Sequence, residues 1–235
     1  MASLINTFVS SNTYNTLPFI SQVAGAPQDR SQDLQDLREL LNKYNVPKGV
    51  SIRLIHKHFD TTEGEVMVFD KISVPGHSTV QIMKPIVPPY SNQLRGIHYF
   101  VDDNASLQAY EYGNCEVPDM SRFEGFLAEF CSLVAERGLQ RKFGLKLQLE
   151  EDTDQTGWTE YELHRKRGTI MFPDDMPMPD GKSDYWQHGN TMCKHCTHCG
   201  RHDHSVGDLD CGNEVGFYLG GQMILPGTTI YHIVD

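Results

Sequence analysis

The chain has 235 residues, of which 39% are hydrophobic and 10% aromatic, so it can bury a substantial core without disulfide staples and does not have a disordered composition. Its 20 basic and 31 acidic residues give a formal net charge of −11, with no basic stripe, which argues against nucleic acid or an anionic membrane surface as a partner. The sequence also lacks a long apolar run and a basic region ahead of an apolar N-terminal segment. We therefore expect neither a membrane span nor a secretory signal.

The first segment, residues 1–27, is polar and contains proline and glycine, which predicts a loose N-terminal arm ahead of a single α+β domain over residues 28–235. This domain opens with a predicted helix from about Ser31 to Tyr44. Its leucines recur with helical spacing and form one apolar stripe, made of Leu34, Leu37, Leu40 and Leu41. A proline and a glycine follow shortly after and are typical of a helix end.

A strand predicted over residues 50–59 carries two histidines. Because side chains alternate along a strand, Arg53 and Lys57 are expected on one face, and four residues share the other, namely Ile52, Leu54, His56 and His58. The two histidines thus continue an apolar face toward the interior or the mouth of a pocket, and Glu63 follows at the next turn. Neutral imidazole can bind a metal or carry a proton near physiological pH. The other interpretation is a pair of half-buried histidines satisfied by their surroundings.

The residues around these histidines resemble the first motif of the cupin family, which has a glycine, an H-x-H pair, a glutamate and a final glycine. Gly49, His56, His58 and Glu63 stand in that order, with one extra residue before the first histidine and Asp70 in place of the last glycine. The resemblance implies an antiparallel β-barrel that holds a divalent metal through two histidines, a glutamate and a later histidine. That later ligand would be His98 or His232, neither of which lies in a good copy of the second cupin motif.

Most of the remaining chain alternates with a period of two, which predicts strands. These lie at residues 65–70, 78–85, 96–101, 107–112, 141–149, 157–164, 167–172, 215–219 and 228–234. Neighbouring strands mostly lack the intervening helix that parallel pairing needs, so we expect a mainly antiparallel sheet. Aromatic side chains near residues 99–112 fit either a hydrophobic ligand pocket or ordinary core packing.

A second helix is predicted to begin at Ser121, which forms an S-x-x-E capping box with Glu124. Its buried face consists of Phe123, Phe126, Leu127, Phe130, Leu133 and Val134. Gly138 is predicted to end the helix. Cys131 lies inside it and is read as a small core residue.

Regular patterning stops over residues 173–214, which form an irregular insertion rich in cysteine and histidine. The candidate metal ligands there are Cys193, Cys196, Cys199, His202, His204 and Cys211. Zinc prefers four nitrogen or sulfur ligands, and a C-x-x-C step presents two thiolates from one tight turn. Thiolates with imidazoles favour zinc over magnesium or calcium, although the tract also suits copper or other soft ions. The alternative is a polar loop with reduced cysteines.

We expect this insertion to hold a structural zinc ion, because a surplus of ligands tends to close the coordination shell. Cysteines clustered in this way indicate metal binding in a reducing compartment rather than a disulfide framework, which predicts a cytoplasmic protein. The expected fold is α+β, with a mainly antiparallel curled sheet or barrel, two amphipathic packing helices and a metal-clipped loop.

Three classes of function are compatible with these patterns. The first is a small-molecule enzyme with a partly aromatic pocket lined by His56, His58, Glu63 and His98, in which the two histidines of the H-x-H pair bind a second divalent metal or act without one. The second is a cofactor-free isomerase or cyclase acting on an apolar metabolite. The third is a non-enzymatic interaction module stabilised by zinc. We expect a small, apolar ligand and no nucleic-acid or membrane partner.

Overall fold

The computed structural model describes residues 4–73, 79–88, 94–148, 158–163, 167–173, 217–219, 222–225 and 231–232. The helices are α1 (Ser11–Asn15), α2 (Ile20–Val23), α3 (Ala26–Asp29), α4 (Ser31–Tyr44) and α5 (Glu124–Glu136). The strands are β1 (Leu4–Ile5), β2 (Val50–Leu54), β3 (Val66–Ser73), β4 (Thr79–Ile86), β5 (Arg95–Val101), β6 (Leu107–Gly113), β7 (Phe143–Leu147), β8 (Trp158–Leu163), β9 (Gly168–Pro173), β10 (Phe217–Leu219), β11 (Gln222–Leu225) and β12 (Tyr231–His232). The α+β class is therefore confirmed.

The chain divides into two compact units. Unit 1 comprises residues 1–69 and 85–151, and unit 2 comprises residues 70–84 and 152–235. In unit 1, β2, β7, β5 and β6 follow one another as antiparallel neighbours. In unit 2, β4, β9, β8 and β12 form a second antiparallel series, and β10 pairs with β11.

The sheet of unit 1 is mixed, which the sequence did not predict. Both β1 and β3 run parallel to β6, β1 at Leu107–Gln108 and β3 at Glu111–Gly113. A parallel pair needs a connection of a dozen or more residues. Here β4 and β5 lie between β3 and β6 in the chain and provide that length. Short turns between successive strands therefore do not reveal which strands become neighbours.

The helix predicted at residues 31–44 is confirmed with both of its bounds. It ends because Asn45 adopts a left-handed backbone with φ of 46°, a conformation that asparagine tolerates better than most residues. Leu37 and Leu40 are its buried residues. The helix packs on α5 through the rings of Tyr44 and Phe126, whose centroids are 5.9 Å apart.

The second helix is confirmed, but its predicted capping box is wrong. The helix starts at Glu124 rather than Ser121, its N-cap residue is Phe123, and that residue provides no side-chain cap. The backbone amide of Ser121 instead donates to the carboxylate of Asp119 in the preceding turn. The predicted apolar face holds for Phe126, Leu127, Phe130 and Val134, which are buried together with Cys131, whereas Phe123 and Leu133 are half-buried.

The N-terminal segment is folded rather than loose over its described part. Residues 4–27 include β1, α1, α2 and the start of α3, and they bury Tyr14 and Leu17 almost completely. The side chain of Tyr99 donates a hydrogen bond to Asn6, and the hydroxyl of Tyr112 receives one from the amide of Val9. Polar composition was misleading here because several apolar residues of the segment, among them Val9, Tyr14, Leu17 and Val23, are buried in the core.

Two of the sequence predictions cannot be compared with the fold. Apart from Pro173, the irregular insertion at residues 173–214 lies outside the described residues. All six candidate ligands of its zinc site lie there as well.

No helix that the structure describes has both the length and the apolar character to cross a membrane.

We predict that Gly144→Ala destabilises unit 1 by about 3 kcal/mol or more, because a side chain at this position of β7 would collide with the backbone carbonyl of Tyr99 on β5. Gly25→Ala is the matched control, since its methyl group would approach Asp29 no closer than 3.4 Å. Urea unfolding of both variants measures the difference. Equal stabilities of the two variants would contradict the close approach of β5 and β7.

Candidate functional site

The two histidines of the H-x-H pair lie just beyond strand β2. The strand was predicted to reach residue 59 but ends at Leu54. After it, the amide of Ile55 donates to the carbonyl of Lys142, and the amide of Lys57 donates to the carbonyl of Pro18. These bonds hold the segment against two different parts of unit 1, so strict strand alternation no longer applies.

His56 and His58 are nevertheless brought together in the interior. Their side chains are among the buried polar groups of the fold, and their ring centroids are 4.7 Å apart. The Nδ1 atom of His56 lies 3.1 Å from the carbonyl oxygen of Leu54. The predicted inward orientation of both histidines is therefore confirmed by their burial.

His98 joins them from β5 at an irregularity in the sheet. Along β5 and β6, Gly96 lies opposite Tyr112, His98 opposite Glu111, and Tyr99 opposite Ala109. The register therefore passes over Ile97 on one strand and Tyr110 on the other. Such bulges re-aim side chains and are common beside functional sites. In this case the shift places His98 against both Tyr110 and Glu111.

His98 and Glu111 form a buried acid–base pair. The Nδ1 atom of His98 makes a short hydrogen bond with the Oε2 atom of Glu111, and both side chains are almost completely inaccessible. The guanidinium of Arg53 lies 3.6 Å from the same carboxylate oxygen. A carboxylate bonded to Nδ1 favours the tautomer that carries its proton on Nδ1 and leaves a lone pair on Nε2.

The other ring nitrogen of His98 is buried and makes no hydrogen bond with any residue in the described part of the chain. A buried polar atom of this kind costs free energy, and in a native protein it points to a functional role or to an unseen partner. We refer to Arg53, His56, His58, His98, Tyr110 and Glu111 as the buried histidine cluster.

Aromatic rings enclose this cluster. Phe69 meets His98 edge to face with ring centroids 5.1 Å apart, and Tyr110 lies 6.2 Å from His98. Tyr14 of helix α1 packs 6.4 Å from Tyr110. The imidazoles therefore lie in apolar surroundings of low effective dielectric constant, where charges interact strongly.

These surroundings shift the ionisation of the cluster. Burial lowers the pKa of His58 to about 3, with a smaller contribution from the positive charge of Arg53. Burial also lowers the pKa of His98 well below its ordinary value, helped by the charges of Arg53 and Lys146. Both imidazoles are therefore neutral at pH 7. The tyrosine hydroxyls remain protonated, because burial and the charge of Glu111 raise the pKa values of Tyr14 and Tyr110.

Glu63 does not belong to the buried histidine cluster. Its side chain is exposed in the turn after residue 62 and lines a surface cleft. Within the described ranges, no group of three or more histidine, cysteine, aspartate or glutamate side chains is arranged to hold a metal ion. Of the four predicted catalytic residues, the fold thus assembles His56, His58 and His98 but leaves Glu63 apart.

Sequence reasoning missed two members of the cluster and one residue that packs beside it. Glu111 was overlooked, although a single carboxylate between tyrosines in an apolar strand is an unusual pattern. Arg53 was expected on the face opposite the histidines, yet its guanidinium reaches Glu111. Tyr14 fell in the segment predicted to be loose.

Comparison of the chain with protein-family models, curated proteins and solved structures gives no match. The resemblance to the first cupin motif is therefore not supported by a family match.

The low pKa values predict a pH-dependent stability. Below pH 6.5 the unfolded chain binds protons at His58 that the native state does not, so the free energy of unfolding falls as the pH falls. We expect this residue to account for a loss of about 2 kcal/mol between pH 6.5 and pH 5.

Urea unfolding of the wild type and of His58→Gln across pH 5–7 measures this contribution. The variant should lose stability less steeply as the pH falls, because glutamine does not titrate. Parallel pH profiles for the two proteins would show that His58 is protonated in the native state.

Proposed function

We propose that the chain is a small-molecule enzyme that transfers a proton at the buried histidine cluster. The observation that carries this proposal is the His98–Glu111 pair with the buried Nε2 atom of His98 left without a hydrogen bond among the described residues. An imidazole oriented by a carboxylate on one nitrogen and open on the other is the common arrangement of a general base. The aromatic surroundings suit an apolar substrate.

Each polar residue then has a distinct role. His98 accepts a proton from the substrate at Nε2 and returns it at another position. Glu111 fixes the tautomer of His98 and stabilises the imidazolium that forms. Arg53, 3.6 Å from Glu111, offsets the negative charge of this carboxylate in the protein interior.

Proton abstraction from an apolar carbonyl compound also requires a partner for the developing oxyanion. Tyr14 and Tyr110 are suited to this role because their raised pKa values keep the hydroxyl protons in place at neutral pH. Neutral donors in a site of low dielectric constant stabilise negative charge strongly. These residues favour a cofactor-free isomerase or cyclase within the broader enzyme class.

The test is hydrogen exchange in D2O with a panel of small apolar ketones and aldehydes. We expect the wild type to replace α-protons of at least one compound with deuterium, as detected by proton NMR. His98→Gln and Glu111→Gln should each slow the exchange by about 10²–10⁴-fold, the usual contribution of a general base and its support.

Glu129→Gln is the matched control, because Glu129 pairs with Lys43 on the exposed surface of α4 and α5. It should exchange at the wild-type rate. A wild type that exchanges no compound in the panel, or a His98→Gln variant as fast as the wild type, would refute proton transfer at this site.

We further propose that the insertion at residues 173–214 binds a structural zinc ion separate from this cluster. The support is the spacing of its thiolates and imidazoles in the sequence, with two overlapping C-x-x-C steps at Cys193, Cys196 and Cys199. Because structural zinc contributes directly to folding, the ion would stabilise the insertion rather than perform the reaction.

Native mass spectrometry under reducing conditions tests this proposal. The wild type should carry one zinc ion, and the double variant Cys196→Ser/Cys199→Ser should carry none, because it breaks both C-x-x-C steps. Cys115→Ser, at a cysteine outside the insertion, should keep the ion. Metal-free wild-type protein, or zinc retained by the double variant, would rule out the proposed site.

A further inference from the structure

A surface cleft of about 550 Å³ lies between two segments of unit 1, apart from the buried histidine cluster. Its size is within the range of pockets that hold small ligands. Its walls come from residues 8–15 and 61–66, and the lining residues used below are Phe8, Ser11, Asn12, Asn15, Thr61 and Glu63.

Hydrogen bonds fix the two walls relative to each other. The hydroxyl of Ser11 donates to the carbonyl of Thr62, and the side-chain amide of Asn15 donates to the carbonyl of Thr61. In return, the amide and the hydroxyl of Thr61 donate to the side-chain oxygen of Asn15. The cleft is therefore preformed, which reduces the entropy that a ligand must overcome.

These bonds also use up much of the uncharged polar lining. Ser10 caps helix α1 by accepting from the amide of Thr13, so its hydroxyl is engaged as well. Among the described residues, neither the carboxylate of Glu63 nor the amide of Asn12 has a hydrogen-bond or ionic partner. Glu65 also lines the cleft, and its carboxylate accepts a hydrogen bond from the amide of Thr62. A ligand can therefore contact the carboxylate of Glu63, the amide of Asn12 and the ring of Phe8.

Phe8 adds an aromatic side chain to a cleft that is otherwise lined largely by polar residues. It is 45% exposed, one of the few large apolar side chains that reach the surface in the described part of the chain. Its ring is held at 87° to that of Tyr112, with centroids 5.0 Å apart. An aromatic face and a carboxylate together match an ammonium group, because the ring quadrupole and the charge both attract a cation.

We propose that this cleft binds a small organic cation with a primary ammonium group. The carboxylate of Glu63 accepts a charge-assisted hydrogen bond from the ammonium, the carbonyl oxygen of Asn12 accepts a second bond, and Phe8 covers the carbon chain. Among the residues that the structure describes, no lysine, arginine or histidine lines the cleft. This site is independent of the proposed proton-transfer chemistry, and neither depends on the other.

Isothermal titration of the full chain with putrescine in 0.15 M NaCl tests the proposal. At this salt concentration the Debye length is about 8 Å, so diffuse attraction to the net negative chain is screened. We expect saturable binding with a Kd of about 1 mM or tighter. The uncharged isostere 1,4-butanediol should bind at least about tenfold more weakly.

Three variants locate the binding. Glu63→Gln should weaken putrescine binding about tenfold, as the loss of a charge-assisted hydrogen bond implies, and Phe8→Leu should weaken it about two- to fivefold. The control Glu116→Gln, at an exposed carboxylate outside the cleft, should bind like the wild type.

Three results would overturn the proposal: no saturable binding by the wild type, equal affinity for the diol, or equal losses in Glu63→Gln and Glu116→Gln. Both glutamate substitutions are on the surface, so loss of folding does not obscure the comparison.

Discussion

The buried carboxylate of Glu111 is the constraint around which unit 1 is organised. An isolated carboxylate in the protein interior is costly, and it persists only when a positive charge and hydrogen bonds compensate for lost hydration. Arg53 at β2 and His98 on β5 supply these partners. Arg53 lies on β2, His98 on β5 and Glu111 on β6, and β7 pairs with both β2 and β5. The arrangement of these four strands therefore depends on the polar contacts of one carboxylate.

The irregular pairing of β5 and β6 makes this arrangement possible. In a regular antiparallel pair, successive side chains alternate between faces, so Tyr110 and Glu111 would lie on opposite sides. The bulge places both of these residues next to His98. One local departure from sheet geometry therefore brings an imidazole, a phenol and a carboxylate together.

Hydrophobic periodicity predicted the elements of this fold well, whereas it could not predict their pairing or the ends of the polar strands. The stripe of leucines in α4 is a local signal, and the helix has the predicted bounds. The parallel pairing of β3 with β6 is a long-range choice that no local pattern records. The burial of His56 and His58 was predicted from alternation along a strand that reached residue 59, but the strand ends at Leu54. Alternation therefore does not relate the histidines beyond the strand to Arg53 within it, and the charge of Arg53 acts on His58.

The energetic cost of the buried histidine cluster argues for a role beyond stability. Well-packed apolar residues can often replace a buried ion pair with no loss of stability, and the buried Nε2 of His98 adds a further free-energy cost.

The contacts of helix α1 also support a role beyond stability. The helix places Tyr14 against Tyr110 while Ser11, Asn12 and Asn15 line the surface cleft. These four residues, from a segment whose composition suggested a loose arm, thus contribute to the two candidate sites between them. The hydrogen bonds from Ser11 and Asn15 to residues 61–62 hold the helix in place.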